Sequence, residues 1–381
     1  MRVAVIHSFY QTQNSSGENS VVLDQVRQLR SMGLTVELIS TSTDAEISQS
    51  GYALRKAFGV ATGTGTSPEE RLSAFRPDIV HVHNLFPNFS LRWLAKVRQP
   101  VVMTFHNFRL GCSNGLLYRD GKTCTHCLDQ VGSVIVPVKS GCYRHSSIAT
   151  LPVAVSRQLS QRLVKGAGTV GVTLSSDSDA LVEQFMGSDF KRRQIPNFVE
   201  DFMAEPRPSH ANRRSWLYVG RLSQEKGIKE MLDSWPEDEE LTIVGGGPLE
   251  SVVTSQCVDR ANIRILGAID RDVLRGLLDN YVGLVFPSRW VEVAPQVVVE
   301  ALCAGVPVVA LEGNSAATTV KESKAGAVYQ RNDPRSLGSA LRLVRRERDH
   351  LSTLGRKHYI AEWTPAVWSE RIGDLYRTLI G

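Results

Sequence analysis

Arg289-Trp-Val-Glu-Val-Ala-Pro-Gln-Val-Val-Val-Glu-Ala-Leu-Cys-Ala-Gly-Val-Pro-Val-Val309 is the stretch from which the rest of the chain can be read. Just before it, Val282-Gly-Leu-Val-Phe286 has the pattern of a buried strand, and Pro287 to Ala294 that of a loop. Pro295 suits the first position of a helix, where its missing N–H would be unpaired anyway. That helix is expected to run to about Ala304, with Gly305 as its cap and Val306-Pro-Val-Val309 as the next strand. Glu292 then lies on the loop at the carboxyl end of a strand, and Glu300 a turn or more into the following helix. Such loops are where open α/β sheets bind ligands. Taken alone, the two carboxylates fit equally well a solvated pair on an ordinary βαβ unit.

Outward from this unit, strand and helix patterns alternate along the chain. Arg2-Val-Ala-Val-Ile-His7 is a strand, Ser15-Ser-Gly17-Glu18 lies in a polar loop, and Val21, Val22, Val26 and Leu29 mark one buried helix face. The loop lacks the Gly-x-Gly-x-x-Gly spacing of a dinucleotide site. Asp78-Ile-Val-His-Val82 and Pro100-Val-Val-Met-Thr-Phe105 are strands, ending at His83 and His106. Asn88 to Val97 reads as a helix between them. Ser147 to Val164 and Ser178 to Met186 read as helices around a strand at 168–173. Residues 201–214 are poor in apolar side chains and contain Pro206 and Pro208, so they read as a linker. A second alternation begins at Trp216-Leu-Tyr-Val-Gly220, and residues from about 333 onward are helical. The fold class is α/β, with doubly wound parallel sheets at 1–200 and 215–364 and a last apolar helix at 365–381.

The 381 residues are 42% hydrophobic and 22% charged, as in an ordinary soluble domain pair. With no leader pattern at Met1-Arg-Val-Ala-Val-Ile6 and no apolar run of the ~18–20 residues that a membrane span needs, the chain is expected in the cytoplasm. Residues 1–195 hold 21 Lys and Arg against 14 Asp and Glu, a net of +7; the rest hold 23 against 25, a net of −2. A basic first half suits an anionic acceptor or peripheral contact with the inner membrane face. No basic run with interleaved aromatics argues for nucleic acid.

Arg221 and Lys226 lie five apart in a loop that leads into a helix near Gly227. Free N–H groups, a guanidinium fork and an ammonium together suit a diphosphate. Val219-Gly-Arg-Leu-Ser-Gln-Glu-Lys-Gly227, Ile243-Val-Gly-Gly-Gly-Pro248 and the Glu292-x7-Glu300 stretch resemble retaining glycosyltransferases of the GT-B fold, group 1 (glycosyltransferase family 4). The resemblance implies two Rossmann-like domains facing a cleft, the first binding the acceptor and the second a nucleotide sugar, UDP- or GDP-linked. The last helix would cross back to the first domain. Arg221 and Lys226 would hold the donor diphosphate, Glu300 the ribose hydroxyls, and Glu292 the sugar ring hydroxyls. Backbone groups at Val293, Ala294 and Pro295 would help position the donor, and Gly17 would let the backbone approach the diphosphate. His106 would assist the attacking hydroxyl. Catalysis would need no metal. The acceptor would be a glycan, a lipid-linked or a small molecule. The chain departs from the family at Ser16-Gly17, Val293-Ala294 and Gly245-Gly-Gly-Pro248, where Gly-Gly, Phe-Gly and Gly-Asp-Gly-Pro are usual. A nucleotide-sugar epimerase and a non-catalytic sugar-binding protein stay open as other classes.

Two further features need separate readings. His7, His81 and His83, at or near strand ends, read first as structural, whereas His106 is functional by the resemblance. The excursion from His106 to His145 has weak strand and helix signals and contains Cys112, Cys124, Cys127 and Cys142. A Cys-x2-Cys with two more cysteines can build a structural zinc site; free thiols and a disulfide are the other readings. Arg109, Asn114, Tyr118 and Arg119 are candidate acceptor contacts in the same excursion.

Overall fold

The computed structural model describes residues 1–9, 17–44, 51–203, 213–331 and 333–381. Ser15 and Ser16 of the first loop, and 204–212 of the expected linker, lie outside the described residues. The chain forms two compact units: Met1–Arg119, Cys124–Asn197 and Trp368–Gly381 make the first, Asp120–Thr123 and Phe198–Val367 the second.

The first unit is built on six parallel strands: β1 (Arg2–Phe9), β2 (Thr35–Ser42), β3 (Ile79–Asn84), β4 (Val101–Thr104), β5 (Val170–Thr173) and β6 (Arg192–Gln194), in the order β2-β1-β3-β4-β5-β6. Val3 to Ile6 and Ile79 to Val82 are fully buried, as near-continuous apolar runs should be when helices cover both faces of a parallel sheet. The helix Gly17–Ser31 buries Val21, Val22, Val26 and Leu29.

The second unit has β7 (Trp216–Val219), β8 (Leu241–Val244), β9 (Ile263–Gly267), β10 (Leu284–Phe286), β11 (Val308–Leu311) and β12 (Gly326–Tyr329), all parallel, in the order β9-β8-β7-β10-β11-β12. Two buried clusters cover the two faces of this sheet. The expected α/β class with two Rossmann-like doubly wound sheets is what the chain forms.

Three local expectations change. Asn88 to Val97 is not a helix: only a short 3-10 turn, Arg92–Ala95, forms. The backbone of Ser90 and Leu91 bonds instead to Thr66 O and Gly63 O at 2.9 Å each, and the Asn88 side chain is buried against Ser8 and Thr43. The 106–145 excursion is structured. Short strands at Tyr118–Arg119 and Lys122–Thr123 flank an Asp120-Gly121 turn, and helices His126–Asp129 and Ile135–Lys139 follow. Helices Tyr52–Thr62 and Ser315–Ser323, and strands β6 and β12, are additional to the elements read from the sequence.

The glycine loop after β8 separates what is required from what is optional. A Cβ on Gly245, whose φ is +138°, would stand 1.9 Å from the Gly220 carbonyl oxygen, whereas one on Gly246 would meet only Glu250 Oε2 at 3.5 Å. Gly245→Ala is therefore expected to cost about 3 kcal/mol or more in chemical denaturation, and Gly246→Ala less than about 1 kcal/mol. Equal costs would refute this account of the loop.

Candidate functional site

In the second unit, strand order reverses between β7 and β10, and ligands of open α/β sheets bind at such a switch point. The loop leaving β7 carries Arg221 and Lys226, and the loop leaving β10 carries Glu292. The two loops are tied together by Arg289 N–H donating to Glu225 O at 2.8 Å. Lys226 Nζ donates to Glu292 Oε1 at 2.7 Å, and Ser288 Oγ donates to the same oxygen at 2.9 Å. Asn314 Nδ2 holds the Ser288 carbonyl at 2.8 Å. The ammonium also lies 5.9 and 5.8 Å from the Phe286 and Trp290 ring centroids. Glu292 is 8% exposed, so its charge is matched at close range by a lysine that cannot swing freely.

Arg221 is exposed, and no ion pair or side-chain hydrogen bond of its guanidinium occurs among the described residues. Its carbonyl accepts from Tyr218 Oη at 3.1 Å, which fixes the backbone under it. Val293 is buried and Ala294 partly so. Pro295 is the N-cap, not the first residue, of helix Gln296–Cys303, and it has no N–H to give. Glu300, 3% exposed on that helix, receives Arg271 Nε at 2.6 Å and Arg275 Nε at 3.1 Å on Oε1. Among the described residues, Trp290 Nε1 and both amide atoms of Gln296 are buried without a partner. Unpaired buried polar atoms beside Glu292 are what a polar ligand would satisfy. Sequence reasoning passed over Ser288, Trp290, Arg271 and Arg275, whose contacts reach other loops or helices, and Gln296, whose buried amide no local pattern reveals.

The first unit gathers histidines at the carboxyl ends of β1, β3 and β4. His83 Nδ1 and His106 Nε2 are 2.8 Å apart, and His7 Nε2 lies 3.0 Å from Asn19 Oδ1. His81 is bonded on both ring nitrogens, to Tyr376 Oη at 2.6 Å and Thr104 Oγ1 at 2.8 Å, as a core histidine should be. Burial lowers His7 to about 4 and His81 and His106 to about 3, and holds His83 well below its usual value. At neutral pH these rings act as hydrogen-bonding groups and not as cations. Gly17 opens its helix exposed, with no described residue within 4 Å of where a Cβ would stand.

Next to it is Glu18, to which the sequence reading gave no role. Burial pushes its carboxyl up to about 7, and Asn84, Arg109 and Asn107 oppose the shift only in part. A mostly apolar cavity lies in the same unit. His83, Asn84, His106, Asn107 and Arg109 line it together with Phe86 and other apolar side chains. Of the candidate acceptor contacts, Arg109 reaches this cavity. Asn114 is spent on the loop, through Tyr118 O at 2.8 Å and Leu116 N–H at 2.8 Å; Tyr118 is buried and Arg119 partly exposed.

The zinc expectation at Cys112, Cys124, Cys127 and Cys142 is not supported. Among the described residues no group of three or more His, Cys, Asp or Glu is placed to hold a metal ion, and all four thiols are free. Cys112 Sγ donates to Asn114 Oδ1 at 2.9 Å, and burial raises the Cys142 thiol to about 11. The excursion is ordered by other means. Phe108 and Leu117 are fully buried. The buried Arg157 guanidinium donates to Gly111 O at 3.2 Å and Ser133 O at 2.6 Å, pinning both ends of a long loop.

Residues 200–359 match the family model for glycosyl transferases group 1, and residues 15–171 the model for Glycosyltransferase Family 4. An uncharacterized glycosyltransferase of Methanocaldococcus jannaschii is 23% identical over 265 residues, which are 67% of this chain and 63% of that protein. The chain thus spans somewhat under two thirds of the length of that relative. Among solved structures, sucrose-phosphate synthase of Thermosynechococcus elongatus aligns with a TM-score of 0.72 at 17% identity, over 99% of this chain and 98% of that one. Anabaena HepE in complex with UDP-glucose aligns at 0.64 and 14% identity, over 100% of each. The fold is therefore GT-B, two Rossmann-like parallel-sheet domains. No helix among the described residues is long and apolar enough to cross a membrane.

Glu18 gives a measurable signature. Its folded value of about 7 lies above the ordinary carboxyl value of 4.5. Its contribution to stability is thus fully present below that ordinary value and is lost as pH rises through 7. Glu18→Gln should match the wild type near pH 4 and be more stable by about 3 kcal/mol at pH 8.5 in urea denaturation. Parallel pH–stability curves for the two proteins would contradict this.

Proposed function

We propose that this chain, with group 1 and Family 4 sequence on a GT-B fold, is a retaining glycosyltransferase. It moves a hexosyl residue from a nucleoside diphosphate sugar, UDP- or GDP-linked, to a hydroxyl of a glycan, lipid-linked or small-molecule acceptor. The observation that carries the reading is the switch point of the second sheet. There one loop carries an exposed arginine and a lysine, and the lysine holds a buried carboxylate of the facing loop at 2.7 Å. Anabaena HepE, solved with UDP-glucose on the same fold, supports a nucleotide sugar as donor.

On this reading Arg221 and Lys226 bind the diphosphate and stabilise the charge it gains as it leaves, which is why catalysis requires no metal. Glu292 accepts hydrogen bonds from sugar hydroxyls and stabilises the cationic ring of the transition state. Glu300, held in place by Arg271 and Arg275, takes the ribose hydroxyls. N–H groups at Val293 and Ala294 orient sugar and phosphate, while Pro295 sets the turn into the helix. Gly17 leaves space for the diphosphate. The acceptor hydroxyl attacks on the face from which the diphosphate departs, with His106 as a hydrogen-bonding aid, and the departing phosphate takes its proton. The α configuration is kept.

The first unit also carries a surface suited to an anionic membrane. Leu54, Phe58 and Ile148 are 81%, 68% and 87% exposed, on the helices Tyr52–Thr62 and Ser147–Gly166 that pack together, with Arg55 and Lys56 among them. Apolar side chains rimmed by cations are the pattern of an interfacial contact, which we assign to the inner membrane face.

Lys226→Ala and Glu292→Ala are expected to lower kcat by at least about 100-fold with an unchanged fold, and EDTA to leave turnover unaffected. NMR of the product should show the donor's anomeric configuration. Unchanged turnover in both variants would overturn the site, and donor consumption that yields an epimerised sugar without acceptor would favour an epimerase. Vesicles rich in anionic lipid should sediment the protein, and Leu54→Ser with Phe58→Ser should abolish this.

A further inference from the structure

The first sheet has its own switch point, between β1 and β3, because the chain leaves β1 towards β2 and leaves β3 towards β4. What gathers there is chemically unlike the basic site of the second unit. Helix Gly17–Ser31 brings Glu18, the end of β3 brings His83 and Asn84, and the segment after β4 brings Asn107 and Arg109. Among the described residues, His83 Nε2 and Arg109 Nε are buried without a partner, and Glu18 Oε1 and Asn84 Nδ2, whose side chains interact with each other, make no well-formed hydrogen bond. His83, Asn84 and Arg109 line the cavity, and Glu18 faces Asn84, Asn107 and Arg109. Buried polar groups are nearly always paired, so an under-satisfied cluster in one place points to a ligand that completes it.

The kinds of atom limit that ligand. Asn84 Nδ2 and Arg109 Nε donate, and the Glu18 carboxylate accepts. His83 Nε2 donates or accepts according to its tautomer. A phosphate or carboxylate would face Glu18 with a single cation for support. The termini of that cation are already engaged, with Nη1 on Ser113 O at 3.1 Å and Nη2 on Asn114 O at 3.5 Å. Hydroxyl groups donate and accept at once, and so match a mixed set. The rest of the cavity wall is apolar, with the Phe86 ring 4.2 Å under the Arg109 guanidinium. A ring with polar edges and an apolar face fits both parts.

We propose that Glu18, His83, Asn84 and Arg109 form a subsite for an uncharged sugar ring, the acceptor end of the reaction. Its role as acceptor rests on the glycosyltransferase reading; the binding of a neutral sugar does not. The basic character of the first unit then belongs to its surface and not to this pocket.

The test uses the full chain and ligand-observed NMR with titration. The probes are the methyl glycosides of glucose, galactose, mannose and N-acetylglucosamine, together with the 6-phosphates of the same four sugars and UDP. At least one methyl glycoside should bind and its 6-phosphate should bind more weakly. Glu18→Gln and Asn84→Ala should each weaken the glycoside by about tenfold or more and leave UDP affinity unchanged. Failure of every methyl glycoside to bind, tighter binding of a 6-phosphate, or wild-type affinity in both variants would overturn the subsite. Loss of glycoside binding in the variants of a protein that binds no UDP would uphold the subsite and sink the glycosyltransferase reading. Normal donor turnover with glycoside affinity unmoved in the variants would do the reverse.

Discussion

Lys226 and Glu292 meet at 2.7 Å because two loops approach each other with no side chain between them. A Cβ on Gly227 would stand 2.2 Å from the Pro287 carbonyl oxygen, so the turn into helix Ile228–Asp233 can pass the end of β10 only as bare backbone. That contact fixes Lys226, one residue before it, and brings Ser288 and Arg289 against Glu225. Ser288 in turn donates to the same Glu292 oxygen that Lys226 holds. The charged pair is thus the end of a chain of backbone constraints. Its position owes little to the flexible lysine stem and much to a glycine that reads in sequence only as a helix start.

The two switch points hold opposite chemistry. The loops of the second sheet carry an exposed arginine and keep their carboxylates paired with lysine or arginine. The first sheet presents uncharged imidazoles and one carboxyl that burial keeps close to half-protonated at neutral pH. Desolvation produces both effects on that side, lowering the histidines and raising the glutamate. An excess of seven positive charges in residues 1–195 therefore says little about the pocket inside them. Summed charge describes the surface field, while a site follows from which groups are buried together.

Much of the fold was legible because parallel strands and their helices carry local signals: apolar runs, periodic faces and glycine stops. The places of Arg221, Lys226 and Glu292 on βα loops, and of Glu300 on the helix that follows one, were legible because those elements carry local signals whatever the rest of the chain does. The helix expected at Asn88 to Val97 failed for the opposite reason. Its apolar spacing is real, but Thr66 and Gly63 take its backbone hydrogen bonds from more than twenty residues away. The cysteine spacing likewise invited a metal, while Arg157, some fifteen residues beyond Cys142, does the tying. Glu18 was quoted in its loop yet stayed silent, since what distinguishes it is burial against β3 and β4, which no local window contains.

Helix Pro365–Ile380 carries Trp368, Ile372 and Tyr376 into the first unit, each no more than 2% exposed, and Tyr376 Oη closes the hydrogen bonding of His81 on β3. The order of synthesis follows from this. A ribosome releases β1 to β6 long before residues 368–381 exist, so the first sheet must wait, with that apolar patch and His81 uncovered, while the whole second unit is made. The unit translated first is the one completed last.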